Sequence, residues 1–379
     1  MSNFVKVFED GQSGNNIGLT TGIRKLDIAI NGTQKKMSIG VAAAPKTGKT
    51  ALVDFCYLVA PYMQMLKEER LDDIEWIYFS YEIDRISKEF KIAALFMFLD
   101  YKVYDFTYED KKYLMSANYL MGKLIDYDEA TGKMKQIKIS QEHSEMLKEI
   151  YVKRIVPMFG EFNRDGVQIR KGKIKFIDEA DNPTGMYKYL MRYANEHGHF
   201  LYERFNTYDD EGTATENRRI VGYQENNPKK FTIVITDHVR KCIIERKFTM
   251  KQNIDKWLEY STILVNRCSF TMVNILHSNR SVSNVDRLKM HGESIFPTAD
   301  DIKDTGNLAE ESTVLMTLFN PNDEKYNLTK HFGVVLKDNP LYRSLHITES
   351  RFTECPVHIR LNAYNNINYF TQLNIEKDG

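Results

Sequence analysis

Ala43, Ala44, Pro45, Lys46, Thr47, Gly48, Lys49 and Thr50, the end of GVAAAPKTGKT, match the phosphate-binding pattern GxxxxGK[ST] at every fixed position but the first. Such a loop turns its backbone N–H groups onto a β-phosphate, offers a lysine to the β/γ oxygens and a hydroxyl to Mg²⁺. Gly48, Lys49 and Thr50 supply the stringent part of that chemistry. Ala43 stands where such loops open with glycine, a change that is tolerable if the backbone there keeps a negative φ.

Two carboxylates suit the remaining chemistry. FSYEI, residues 79–83, closes an apolar strand and places Glu82 at its C-terminal end. If that strand lies beside the one leading into the loop, Glu82 faces the γ-phosphate and can polarise an attacking water. TIVITD, residues 232–237, is an apolar strand ending in Asp237, the pattern of a carboxylate that holds Mg²⁺ through water. Each is an ordinary strand end when taken alone. Asp237 is followed by His238 and not by a glutamate, so the water-activating carboxylate is sought at Glu82.

The elements that must position these residues follow from periodicity. SIGVAAA is a short apolar run, PKTGK a turn, TALVDFCYLVAPYMQMLKEER helical in period, and IEWIYFS rich in β-formers, which makes a βαβ unit with parallel strands. Further strands are expected at IKFID (174–178), FTIVIT (231–236), FTMVNIL (270–276), STVLMTLF (312–319) and RSLHIT (343–348), several of them separated by helical stretches. The expected fold is α/β with a largely parallel, doubly wound sheet. Residues 1–16 read as a loose arm before one core of residues 17–379. Residues 100–172, with a hairpin around DEATGKMK, and the polar, turn-rich residues 200–230 read as insertions into it.

The 379 residues are 42% hydrophobic and 27% charged, a globular composition. Lys plus Arg (52) balance Asp plus Glu (52), so a polyanion must be gripped by a local basic patch. RKCIIERK, just after His238, is one such run, or else a solvated helix face. Cys56, Cys242, Cys268 and Cys355 form no CxxC pair and are expected as reduced thiols. No signal peptide and no apolar run of roughly 18 residues is present, so a cytoplasmic location is expected.

In this order the pieces resemble the RecA-like core of DnaB-type replicative helicases, from about Leu19 to Phe370. TTGIRKLDIAINGTQKKMSIGVAAAPKTGKT is similar to the family's opening segment and phosphate loop, FSYEI to its SLEM segment, VITDHV to its IDYL, LHSNRS to its SQLNR, and PTADDIKDTGNLAEEST to its DNA-contacting loop. The resemblance implies ATP and Mg²⁺ as cofactors, with Lys49, Thr50 and Asp237 holding phosphate and metal and Glu82 activating water. It also implies His277 as the γ-phosphate sensor and Arg351 as an arginine finger reaching a neighbouring subunit. Lys303 and Gly306 would contact single-stranded DNA, together with Arg240 and Lys241.

Departures from the pattern are His277 for glutamine, Lys303 for arginine, and Glu349 where a lysine is usual. The family's N-terminal primase-binding domain is expected to have no counterpart in the residues before Leu19. The implied activity is that of a hexameric ring helicase on single-stranded or forked DNA, with a primase or loader as further partner and no membrane. A recombinase-type DNA-dependent ATPase and a non-hydrolysing accessory or loader protein are the alternatives.

Overall fold

A nine-stranded sheet organises the chain, in a computed structural model that describes residues 3–13, 16–128, 131–208, 214–278, 282, 284–302 and 311–374. In chain order its strands are β1 (Ser38–Ala43), β2 (Ile74–Ser80), β3 (Ile174–Ile177), β4 (Phe231–Asp237), β5 (Thr271–His277), β6 (Val314–Phe319), β7 (Tyr342–Ser350), β8 (Val357–Tyr364) and β9 (Tyr369–Gln372). Their order across the sheet is β9-β8-β7-β6-β1-β5-β4-β2-β3. The six strands from β6 to β3 pair in parallel, and β7, β8 and β9 extend the sheet antiparallel.

The two modes of pairing follow from sequence. β1 is buried at every position, as a central strand covered on both faces must be, and its apolar run lacks alternation. On one face pack the helical run Lys49–Val53, Asp54–Val59 and Ala60–Lys67, whose middle section is π-helical, and the helix Arg85–Tyr101. On the other pack the helices Pro183–His197 and Met250–Cys268. Each face has its own buried cluster, anchored by Trp76 on the first and Trp257 on the second. Neither indole N–H is stranded: Trp76 donates to Tyr57 O (2.7 Å) and Trp257 to Asn274 Oδ1 (2.8 Å).

The helices start where their caps dictate. Asp84 accepts the Ser87 N–H at 2.9 Å, so Arg85–Tyr101 begins one residue after it and ends at Lys102 in the left-handed region (φ 62°). Thr249 and Gln252 form a capping box before Met250–Cys268.

Several expectations are corrected here. β2 does not lie beside β1, because β5 and β4 separate the two. RSLHIT is a strand, but an antiparallel one, and β8 and β9 complete a meander beyond it. Residues 200–230 hold a long hairpin, Gly198–Tyr208 with Ala214–Glu225, in place of turns; its polar residues form the exposed faces of a two-stranded ladder. The expected N-terminal arm carries the helix Asn3–Gln12, on which Phe4 and Phe8 are exposed, which leaves that expectation as it stood. Within 100–172 the anticipated hairpin is present as Ile125–Tyr127 with Met134–Gln136, and Met115, Tyr119, Ile137 and Ile155 from this region join the main core. Cys56, Cys242 and Cys268 are buried free thiols and Cys355 is exposed. Among the described residues no helix is long and apolar enough to cross a membrane.

Candidate nucleotide site

The phosphate-type loop leaves β1 at the C-terminal edge of the sheet and runs into the helix beginning at Lys49. Ala43 is fully buried as the last residue of β1, paired with His277 of β5 and Leu318 of β6, and the strain-prone φ values fall later, at Lys46 (63°) and Gly48 (102°). A Cβ is therefore compatible with position 43. It is not compatible with position 48, where it would sit 2.5 Å from Asn365 Oδ1 as well as at positive φ. Ala44 is half-buried, Pro45 and Lys46 are exposed, and Thr47 is buried.

Lys49 is only 6% exposed, and burial lowers its pKa against the opposing pull of Asp237 and Glu82. Thr50 Oγ1 donates to Asp237 Oδ1 at 3.1 Å. A hydroxyl and a carboxylate held this close form the hard-oxygen pair that suits Mg²⁺.

Glu82 reaches the same place from the end of β2, which pairs with β4 and has β4 and β5 between it and β1. The Tyr81 N–H donates to Asp237 O (2.9 Å), and Ser80 Oγ donates to Ile83 O (2.6 Å), so the chain leaving β2 turns across the end of β4. His238 Nε2 then lies 2.9 Å from Glu82 Oε2 and 3.4 Å from Asp237 Oδ1, while Lys241 Nζ is 3.7 Å from Glu82 Oε1. The peptide joining Asp237 to His238 is cis. His277 stacks on His238 with ring centroids 4.6 Å apart and planes 5° from parallel. Burial, reinforced by Lys49, depresses both imidazoles to about 3, so both are neutral. A neutral His238 with its proton on Nε2 donates to the Glu82 carboxylate and fixes its direction.

Beneath Asp237 lies a buried charge network that the sequence reading missed. Lys88 Nζ is 2.8 Å from Asp54 Oδ2, 2.8 Å from Tyr78 Oη and 3.9 Å from Asp237 Oδ2. Tyr78 Oη also donates to Asp54 Oδ1 at 2.8 Å. Lys88 and Asp54 are both fully buried, and burial raises the Asp54 pKa against the pull of Lys88. The signal was present as Asp54, one charge inside the apolar run TALVDFCYLV.

Lys49, Thr50, Asp237, Glu82 and His277 thus meet at one edge, and Lys241 joins them through Glu82. Arg351 does not. Its N–H donates to Thr313 O, and the preceding Ser350 pairs with Val314, at the opposite end of the parallel strands, on the order of 20 Å of strand from the loop. Glu349, paired with Leu315, is exposed there too. Arg240 and Lys241 close a short 3-10 turn, Val239–Lys241. Lys303 and Gly306 fall outside the described residues.

No protein-family model matches the chain, and no curated protein matches it by sequence. Solved structures do. A DnaB-like replicative helicase, described with its interactions with primase, superposes with a TM-score of 0.59 at 14% identity over 98% of this chain. The present chain spans 66% of the length of that helicase. The ATPase domain of G40P superposes with a TM-score of 0.57 at 15% identity, covering 98% of this chain and 97% of that one. With phosphate loop, Asp237 and Glu82 at the C-terminal edge of a six-stranded parallel array, the chain has the α/β RecA-like fold of such ATPase domains.

Proposed function

We propose that the protein is an ATP-hydrolysing DNA helicase that works as a ring, most simply a hexamer, on single-stranded or forked DNA. The observation that carries this reading is the meeting of Lys49, Thr50, Asp237, Glu82 and His277 at one sheet edge, in a fold similar to helicase ATPase domains.

In this reading the loop amides from Ala44 to Lys49 cradle the β-phosphate, and the Lys49 ammonium, poorly hydrated where it is buried, meets the β/γ oxygens. Thr50 Oγ1 and Asp237 would hold Mg²⁺, which supplies neutralisation of phosphate charge when bound. Glu82, aimed by His238, accepts a proton from the attacking water. His277, half-exposed at the end of β5, is placed to hydrogen-bond the γ-phosphate and register its loss. Arg351, remote from its own loop, serves a neighbouring subunit's site, where an arginine finger offsets transition-state charge. Backbone amides and cations around positions 303 and 306 of the sequence, with Arg240 and Lys241, grip the DNA backbone. A primase or a loader is a further partner.

ATP hydrolysis measured with and without single-stranded DNA tests this reading, alongside the mass of the complex formed with a non-hydrolysable nucleotide. DNA-stimulated turnover by a ring, lost in Glu82→Gln and accompanied by strand displacement on a fork, is expected. A monomer with no DNA response points to an accessory protein; turnover indifferent to Glu82→Gln removes the catalytic assignment.

A further inference from the structure

Glu82, His238 and His277 do more than line the site. One carboxylate oxygen and one ring nitrogen from each histidine lie within 4.8 Å of one another. We propose that these three side chains form a chelating site for a borderline divalent transition ion of the zinc class, separate in chemistry from the oxygen pair of Thr50 and Asp237.

Several observations support the site. His238 is 3% exposed and its Nε2 is already 2.9 Å from Glu82 Oε2; for Nε2 to bind an ion the ring proton must pass to Nδ1, which has no hydrogen-bond partner among the described residues. His277 stacks on it with ring planes 5° apart, so the half-exposed His277 must turn out of the stack for both in-plane lone pairs to meet at one ion. Asp237 Oδ1, 3.4 Å from His238 Nε2, stands close enough to add an oxygen. Ligands about 2.0–2.2 Å from a tetrahedral ion lie roughly 3.4 Å apart, so the set must close by about an ångström. Glu82 already lies 2.9 Å from His238, so most of that movement falls to the half-exposed His277.

The donor set selects the ion. Two imidazoles and a carboxylate suit zinc, cobalt or nickel, whereas Mg²⁺ prefers oxygen alone. Four cations, Lys49, Lys88, Arg240 and Lys241, act on these imidazoles and oppose a metal here. Lys49 acts on both imidazoles, and Lys241 lies 3.7 Å from Glu82 Oε1. Lys241, 55% exposed, can swing into solvent when a dication takes the carboxylate. Occupation would draw Glu82 away from water, so a zinc-class ion slows ATP turnover; that consequence rests on the proposed ATPase reading, whereas binding itself does not.

The test uses Co²⁺ as probe on the full chain without nucleotide, read by visible absorption and by calorimetry. One equivalent is expected to bind with the ligand-field spectrum of nitrogen coordination and to persist in a large excess of Mg²⁺. His277→Gln and the half-exposed Glu82→Gln should each weaken it at least tenfold, whereas His199→Gln on the exposed hairpin should not. Absence of the spectrum in the native protein, displacement by Mg²⁺, or equal affinity in the His277 and Glu82 variants would overturn the proposal. Because binding is read without ATP, a protein that binds Co²⁺ but hydrolyses nothing disproves only the ATPase reading.

Discussion

The two halves of the sheet bury polar groups in opposite ways. At the C-terminal edge of the parallel half, Lys49, Asp54, Lys88 and Asp237 are charged side chains at most 6% exposed. In the antiparallel half, β7 to β9, the buried polar side chains are the neutral Ser344, His346 and Asn368. His346 is satisfied by Ser344 Oγ (2.7 Å) and His358 (2.6 Å) and lies under the ring of Phe296. Next to it, His331 bonds Ile295 O (2.7 Å) and Tyr342 Oη (3.1 Å). A buried charge carries a desolvation cost of several kcal/mol, whereas a neutral ring with partners on both nitrogens carries little. The costly kind is concentrated where a polyphosphate would dock.

The sharpest way to break this contrast is Lys49→Ala. If the parallel edge is the nucleotide site, ATP turnover should fall by about 10²–10³-fold or more while the fold survives, as an ATPase assay with circular dichroism would reveal. Turnover that persists would mean the loop is not the site. Glu82→Gln should cost turnover about 10²–10⁴-fold, the range of a lost general base, with nucleotide binding retained in a fluorescent-nucleotide titration.

Lys88→Met separates charge from packing. Leaving Asp54 buried without a partner should cost about 3–5 kcal/mol in urea unfolding, and Lys88→Met with Asp54→Leu should recover most of it. A double variant as weak as the single one would show that the network is not an ion pair in energetic terms.

The antiparallel half gives a smaller, pH-dependent effect. Burial lowers the His331 pKa to about 4 and that of His346 well below the usual value. Between pH 6.5 and 4 the unfolded chain takes up protons that the folded chain refuses, so stability falls as the pH drops through that window. Each such group contributes a slope of about 1.4 kcal/mol per pH unit. His331→Gln should flatten the difference between urea midpoints at pH 7 and pH 5; an unchanged difference would place the acid sensitivity elsewhere. Least of all, Ala43→Gly should alter nucleotide affinity by less than about tenfold, because position 43 is strand and not the left-handed turn.

What was legible in the sequence follows from range. Gly48, Lys49 and Thr50 form one contiguous loop, so their geometry is written locally, and Asp237 and Glu82 are marked by the ends of apolar runs. The place of β2, with two strands between it and β1, was not legible, because strand order is decided by pairings between distant segments. The same holds for the Lys88–Asp54 pair, whose members come from different helices. The paired strands Gly198–Tyr208 and Ala214–Glu225 were hidden because their apolar residues, such as Leu201, Phe205 and Val221, are exposed among polar ones, without the alternation that betrays a half-buried strand. Arg351 could be matched by motif, yet its distance from its own loop appears only once β6 and β7 are paired.

The position of β1 in the sheet also has a consequence for synthesis of the chain. Its only strand neighbours are β5, which begins at Thr271, and β6, which begins at Val314. A nascent chain emerging from the ribosome therefore displays the largely apolar SIGVAA without a strand partner until Thr271–His277 has been made. Closing so long a loop is slow, and an unpaired apolar strand is open to wrong associations meanwhile.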